Sequence, residues 1–186
     1  MNEQHLRLCA SDEWADGLRQ WIVPSALAGV ELGDDVLEVG PGPGRSTDLL
    51  REMTPRLTAV EADAELAEAL AERMSGTNVE VVHADATHMP FPDDRFSAAV
   101  SFIMLHHVPT AELQDRLLAE VARVLGPGGT FAGVDSLDSP EFRDLHVGDI
   151  CNPIDPGGLE ARLRAAGFRH AQVEVNPYVV EFRARA

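Results

Sequence analysis

From Val36 onward, short apolar runs alternate with amphipathic stretches, and this alternation limits the possible fold more than any other feature of the chain. Val36 to Gly40, Leu57 to Val60, Val79 to Val82, Ala98 to Phe102 and Thr130 to Val134 have strand character. Between the first two, Leu49, Leu50 and Met53 recur at helical spacing in a segment from about Arg45 to Met53. Asp63 can cap a helix that places Leu66, Ala67, Leu70 and Met74 on one face, with Ser75-Gly76 ending it. Thr110 caps another, carrying Leu113, Leu117, Leu118, Val121 and Leu125, and Gly126-Pro127-Gly128-Gly129 is expected to stop it. Asp155-Pro156 opens a last helix that runs to about Ala166. Strands joined through helices predict an α/β fold, because parallel neighbours need a crossover and right-handed crossovers cover both faces of the sheet. Ligands on such sheets lie beyond the carboxyl ends of the strands. Ala171 to Val175 and Tyr178 to Phe182, around Asn176-Pro177, predict a C-terminal antiparallel hairpin. Residues 1–30 precede the first strand as an N-terminal helical cap, whose stripe Trp14, Leu18, Trp21 and Ile22 is expected in the core.

The length, 186 residues, suits one domain. Within it the expected segments are the cap at 1–30, a ligand-binding core at 34–135, a substrate-side loop at 136–155, and a helix and hairpin at 156–186. Asp and Glu number 31 against 15 basic residues, a formal net charge of −16, so no nucleic-acid partner is expected: a polyanion would be repelled. Every basic residue is arginine, which excludes lysine Schiff bases and phosphate-loop lysines. No apolar run approaches the roughly 20 residues that cross a bilayer, and the charged residues from Met1 to Ala10 do not resemble a signal peptide. A cytoplasmic location without membrane partners is the expectation. Cys9 and Cys151, far apart and alone, form no disulfide framework.

The chemistry concentrates in Val36-Leu-Glu-Val-Gly-Pro-Gly-Pro-Gly44. Glycines at every second position after a strand let backbone approach a ligand closely. A dinucleotide fingerprint needs glycine or alanine where Arg45 stands. Glu38 would repel a pyrophosphate but can pair with an ammonium group, so the charge favours a cationic cofactor.

Glu38-Val-Gly-Pro-Gly-Pro-Gly44 resembles the first motif of class I S-adenosylmethionine-dependent methyltransferases, of the type 11-like kind. Val60-Glu61-Ala62-Asp63 and His83-Ala84-Asp85-Ala86 resemble the next two elements in family order. The segments 89–96, 101–108 and 118–129 continue the likeness. This resemblance implies a Rossmann-like, doubly wound, seven-stranded and mostly parallel sheet. It implies S-adenosylmethionine as cofactor, its methionine part held by Glu38, Gly40, Pro41, Gly42 and Gly44. Glu61 and Ala62 would hold the ribose, Asp85 and Ala86 the adenine, and Phe102 would complete the site. Ser97 departs from the family, which usually has aspartate there; at the start of its strand, remote from the cofactor end, the change reads as structural.

Methyl transfer from a sulfonium mainly requires alignment and exclusion of water, and a hydroxyl acceptor must also lose a proton. His106 and His107, after the fourth strand, and His146, in the 136–155 loop with Asp144, Asp149, Cys151 and Asn152, are the candidate catalytic residues. Arg7, Arg143 and Trp14 are possible contacts for an anionic or aromatic acceptor. The expectation is a methyltransferase acting on a small-molecule acceptor, monomeric or homodimeric, with no metal in the site. Two other readings stay open. One is an NAD-type oxidoreductase, disfavoured by Arg45 and Glu38. The other is a non-catalytic cofactor-binding or metal-responsive module in which His5, Cys9, His146 and Cys151 converge.

Overall fold

The computed structural model describes residues 1–186. Its strands are β1 (Asp35–Val39), β2 (Arg56–Glu61), β3 (Val79–His83), β4 (Phe96–Phe102), β5 (Leu125–Ser136), β6 (His170–Val175) and β7 (Val179–Arg185). They form one sheet in the order β3-β2-β1-β4-β5-β7-β6. The first five run parallel, and β7 pairs antiparallel with both β5 and β6. The strand order reverses between β1 and β4, which opens a crevice at their carboxyl ends where a ligand can enter.

The period of two along each strand divides the core. Leu37, Val39, Ala99, Phe131 and Phe182 pack on one face against α6 (Ala111–Val124) and α8 (Pro156–Ala165), which contribute Leu117, Val121, Leu159 and Leu163. Val36, Ala98, Val100, Ala132 and Val134 face the other way, onto Leu18, Val23, Leu27 and Leu50. The last group comes from the N-terminal cap and α4 (Thr47–Leu50). Gly133 lets Phe182 cross closely, since a Cβ there would stand 2.5 Å from its ring.

The cap consists of α1 (Glu3–Ala10), α2 (Asp12–Gly17), a π-helical turn Leu18–Ile22, and α3 (Val23–Ala26). Of its expected stripe, Leu18 is buried while Trp21 is 72% exposed, because the π turn rotates successive residues off a 3.6-residue spacing. Two boundaries also differ from the sequence reading. The first crossover helix contracts to the single turn of α4, and β5 begins at Leu125, where the glycine run was expected to be a turn. Phe96 pairs with Leu125 ahead of a register shift, so sheet pairing overrides local turn propensity. Between β5 and α8 lies α7 (Pro140–Leu145), capped by Ser139.

Candidate active site

A cavity of about 420 Å³ opens at the carboxyl ends of β1, β2 and β4, a size typical of small-molecule sites. Its glycine wall exists because Gly40 has φ +68° and Gly42 φ +54°, conformations that glycine adopts without strain. A Cβ on Gly40 would also lie 2.2 Å from Met104. Glu61, the last residue of β2, fixes this turn. One carboxylate oxygen accepts from the Gly42 N–H at 2.9 Å and the other from the Asp63 N–H at 3.0 Å. Each oxygen keeps a lone pair for a further donor. Asp63 caps α5 (Ala64–Arg73), and Asp85, beyond β3, accepts from the Thr87 N–H through one oxygen only.

Gly40, Pro41, Gly42, Glu61, Ala62, Asp85, Ala86 and Phe102 all line the cavity. Glu38 and Gly44 stand behind it. Glu38 shares a strand face with Val36, beneath α4, where Ser46 Oγ and Thr47 Oγ1 donate to its two oxygens at 2.5 and 2.6 Å. Burial pushes its carboxyl up to about 7 against the pull of these two donors. Gly44 turns under Leu70 and Arg73. Arg45, which breaks the dinucleotide fingerprint, donates to the Ala10 carbonyl and to Asp12, tying the cap to the glycine turn.

The opposite wall starts at Ile103. A β-branched residue at φ +52° is strained, and its N–H is held by the Val134 carbonyl at 2.8 Å. This bend throws the chain from β4 into a 3₁₀ turn, Leu105–His107. His107 then faces the cavity, while His106 is fully buried beneath it. Asp135, on β5, accepts from the His106 backbone N–H at 3.2 Å and from its Nδ1 at 2.6 Å. His146, at the end of α7, packs edge-on to His106 with ring centroids 4.8 Å apart.

The three candidate catalytic histidines therefore stand together, but His107 alone reaches the cavity. Burial, reinforced by neighbouring histidines, lowers the His107 imidazole to about 3. A ring held neutral keeps a lone pair available for contact or for accepting a proton. His5, from α1, completes the group, its imidazole lowered to about 4 mainly by burial. Cys9 and Cys151 are not part of it; burial raises both thiols, Cys9 to about 11. Cys9 and Trp14 line the cavity instead; Arg7 pairs with Glu3, and Arg143 with Asp138. Asp135 and Ile103 carry no functional signal of their own in the sequence, though Ile103 lies within the 101–108 segment and Asp135 directly follows the Thr130 to Val134 run, on the ligand side of the sheet.

Residues 36–129 match the model of the methyltransferase domain. The chain belongs to the class I S-adenosylmethionine-dependent methyltransferase family. Family membership brings S-adenosylmethionine as the cofactor and displaces the nicotinamide reading. A protein of Mycolicibacterium smegmatis described as a probable S-adenosylmethionine-dependent methyltransferase is 30% identical over 165 residues, covering 82% of this chain and 62% of that one. A fatty-acid O-methyltransferase of the same organism is 36% identical over 123 residues, covering 63% of this chain and 43% of the relative. The chain thus spans less than two thirds of the length of these relatives. Among solved structures, a SAM-dependent methyltransferase from Aquifex aeolicus superposes with a TM-score of 0.77 at 19% identity, covering 100% of this chain and 98% of that one. At that identity the likeness establishes the shared methyltransferase fold, a seven-stranded mixed sheet.

Proposed function

We propose that this chain transfers a methyl group from S-adenosylmethionine to a small, largely apolar acceptor. The observation that carries this reading is the cavity at the strand ends, where Glu61 and Asp85 offer unused carboxylate lone pairs beside a turn stripped of side chains at Gly40 and Gly42. The donor set fits the cofactor: vicinal ribose hydroxyls and an adenine amino group are donors that two carboxylates can accept, and a net positive charge suits acidic walls. When bound, S-adenosylmethionine supplies an electrophilic methyl group on a sulfonium sulfur.

The remaining work falls to the chain's own residues. Glu61 orients the ribose while holding the glycine turn in place. Gly40, Pro41 and Gly42 leave backbone room for the methionine part, and Asp85 and Ala86 take the adenine edge. Glu38 acts through Ser46 and Thr47, fixing the start of α4 behind the turn. Trp14, Leu18, Val108, Leu113 and Ile150 are apolar residues of the cavity lining, which exclude water and support an apolar acceptor. The fatty-acid specificity in the name of one relative is consistent with that choice. His107 and Asp149 border the same space.

Calorimetry tests the cofactor assignment. Wild-type protein should bind S-adenosylmethionine and not NAD, and Glu61→Ala should weaken binding by about 1–3 kcal/mol through loss of hydrogen bonds to a charged acceptor. An unchanged dissociation constant for Glu61→Ala would remove that residue from the site. Release of S-adenosylhomocysteine against a panel of apolar carboxylates, phenols and quinols tests the acceptor class. Turnover only with a protein or nucleic acid would overturn it.

A further inference from the structure

The four histidines His5, His106, His107 and His146 come from three separate parts of the chain: α1, the 3₁₀ turn after β4, and the end of α7. One ring nitrogen from each lies within 4.8 Å of the others. Six buried side-chain polar atoms in the molecule have no hydrogen-bond partner, and four of them are ring nitrogens of these histidines: His5 Nδ1, His106 Nε2, His107 Nε2 and His146 Nε2. A buried polar atom without a partner is unfavourable, so four converging on one point call for a common partner.

The hydrogen bonds on the far side of the rings identify what that partner must be. His146 Nδ1 lies 2.7 Å from the Phe142 carbonyl, which can only accept, so Nδ1 carries the proton and Nε2 presents a lone pair inward. His106 Nδ1 is 2.6 Å from Asp135, whose carboxylate also accepts from the N–H groups of His106 and Ser136, so its Nε2 likewise presents a lone pair. A carboxylate or carbonyl on Nδ1 with the opposite nitrogen left free is the arrangement that orients metal-binding imidazoles. No hydrogen bond fixes the ring proton of His107 or of His5, whose Nδ1 lies 3.7 Å from Asp149; as neutral imidazoles both can turn a lone pair inward as well, and a hydrogen-bond donor in the centre then serves only one or two of the four. A cation with four coordination positions serves all of them.

We propose that His5, His106, His107 and His146 bind a divalent transition-metal ion of the zinc class, which clamps the N-terminal helix and the 137–155 segment onto the methyltransferase core. An all-imidazole set suits zinc and its neighbours and is unsuited to magnesium or calcium, which take oxygen ligands. Zinc–nitrogen bonds of about 2.0–2.1 Å put tetrahedral ligand atoms about 3.3 Å apart, so the cluster closes by side-chain adjustments of about an ångström. Four protein ligands leave no open position, which makes the ion structural. The clamp adjoins the cavity, because His107, Asp149 and Ile150 belong to its wall. The assignment rests on ring geometry and is independent of the acceptor.

The test uses full-length protein without a histidine tag, stripped with a chelator and titrated with zinc chloride alone. Elemental analysis after gel filtration should give one zinc per chain. Competition with a chromogenic chelator should show affinity lowered at least tenfold in His5→Gln and in His146→Gln, and unchanged in the double variant His88→Ala, His170→Ala. Substitution with cobalt(II) should give the intense visible bands of a tetrahedral ion. This spectrum, recorded on wild-type protein, decides the matter even where a histidine variant misfolds. Less than a fifth of an equivalent of zinc retained, uptake by folded His146→Gln equal to wild type, or only the pale spectrum of six-coordinate cobalt would each overturn the site. None of these readouts depends on S-adenosylmethionine, so failure of the metal site and failure of the methyltransferase reading are separable.

Discussion

At the scale of single residues, Glu38 shows how the face of a strand decides what a carboxylate does. Beneath α4 its two oxygens accept from Ser46 and Thr47, and burial still pushes the carboxyl up to about 7 from an ordinary 4.5. A raised carboxyl pKa means that the folded chain holds a proton which the unfolded chain releases between those values. The favourable contribution is thus complete below about pH 4.5 and is lost as the pH rises toward 7. Glu38→Gln removes this proton exchange and keeps the shape. Measured by urea unfolding, the variant should gain on wild type by on the order of 3 kcal/mol between pH 4.5 and pH 8, since every other carboxylate is common to both proteins. A stability difference independent of pH would mean that Glu38 titrates normally. The same residue marks where the sequence stops being legible. Glu61 and Asp85 lie at or beyond strand ends, so the motif resemblance that singles them out holds whatever covers the faces of the sheet, and both line the cavity. Glu38 sits one residue inside β1, and whether it points to ligand or to helix depends on what covers that face. The convergence of His5 with His146 had no periodic signature, because it is created by packing between elements far apart in the chain.

At the scale of elements, the cap and the 145–149 segment form one unit through Asn2. Its side-chain oxygen caps α1 by accepting from the His5 N–H at 2.9 Å. Its side-chain amide donates to the Leu145 and Val147 carbonyls at 2.8 and 3.2 Å, and its backbone N–H donates to Asp149 at 2.9 Å. Loss of a helix cap alone costs about 1 kcal/mol. Asn2→Ala should therefore lower amide protection in residues 5–10 and 145–150 together in hydrogen exchange, leaving β1 and β4 at their original protection. Loosening of α1 by itself would show that the two segments open separately. The sequence conveyed the alternation of strands and helices, the direction of the tail hairpin and the presence of a cap. It did not convey the single-turn length of α4 or the early start of β5. Both are set by partners: α4 ends where Asn78, from the approach to β3, bonds the Arg51 and Thr54 carbonyls, and β5 starts early because Phe96 and the chain end pair with it.

At the scale of the whole molecule, the net charge of −16 acts on stability and on binding in opposite senses. Contacts such as Arg7–Glu3 and Arg164–Glu160 are exposed ion pairs, each worth roughly 0.2–1 kcal/mol and easily screened. The excess acidic charge repels itself over longer distances, and that repulsion opposes the compact state. Raising the ionic strength from about 0.01 to 0.15 M shortens the Debye length from about 30 to 8 Å, which removes the long-range repulsion more completely than attraction at contact distance. The melting temperature should therefore rise by a few degrees over this range. S-adenosylmethionine carries one net positive charge and is drawn in by the same acidic field, so its association rate should fall with added salt. Opposite salt slopes for melting and for cofactor association are the outcome that a field of net negative charge requires. If melting instead dropped with salt, local ion pairs would outweigh the net charge, and attraction of a cation would have to be assigned to Glu61, Asp85 and the other walls of the cavity alone.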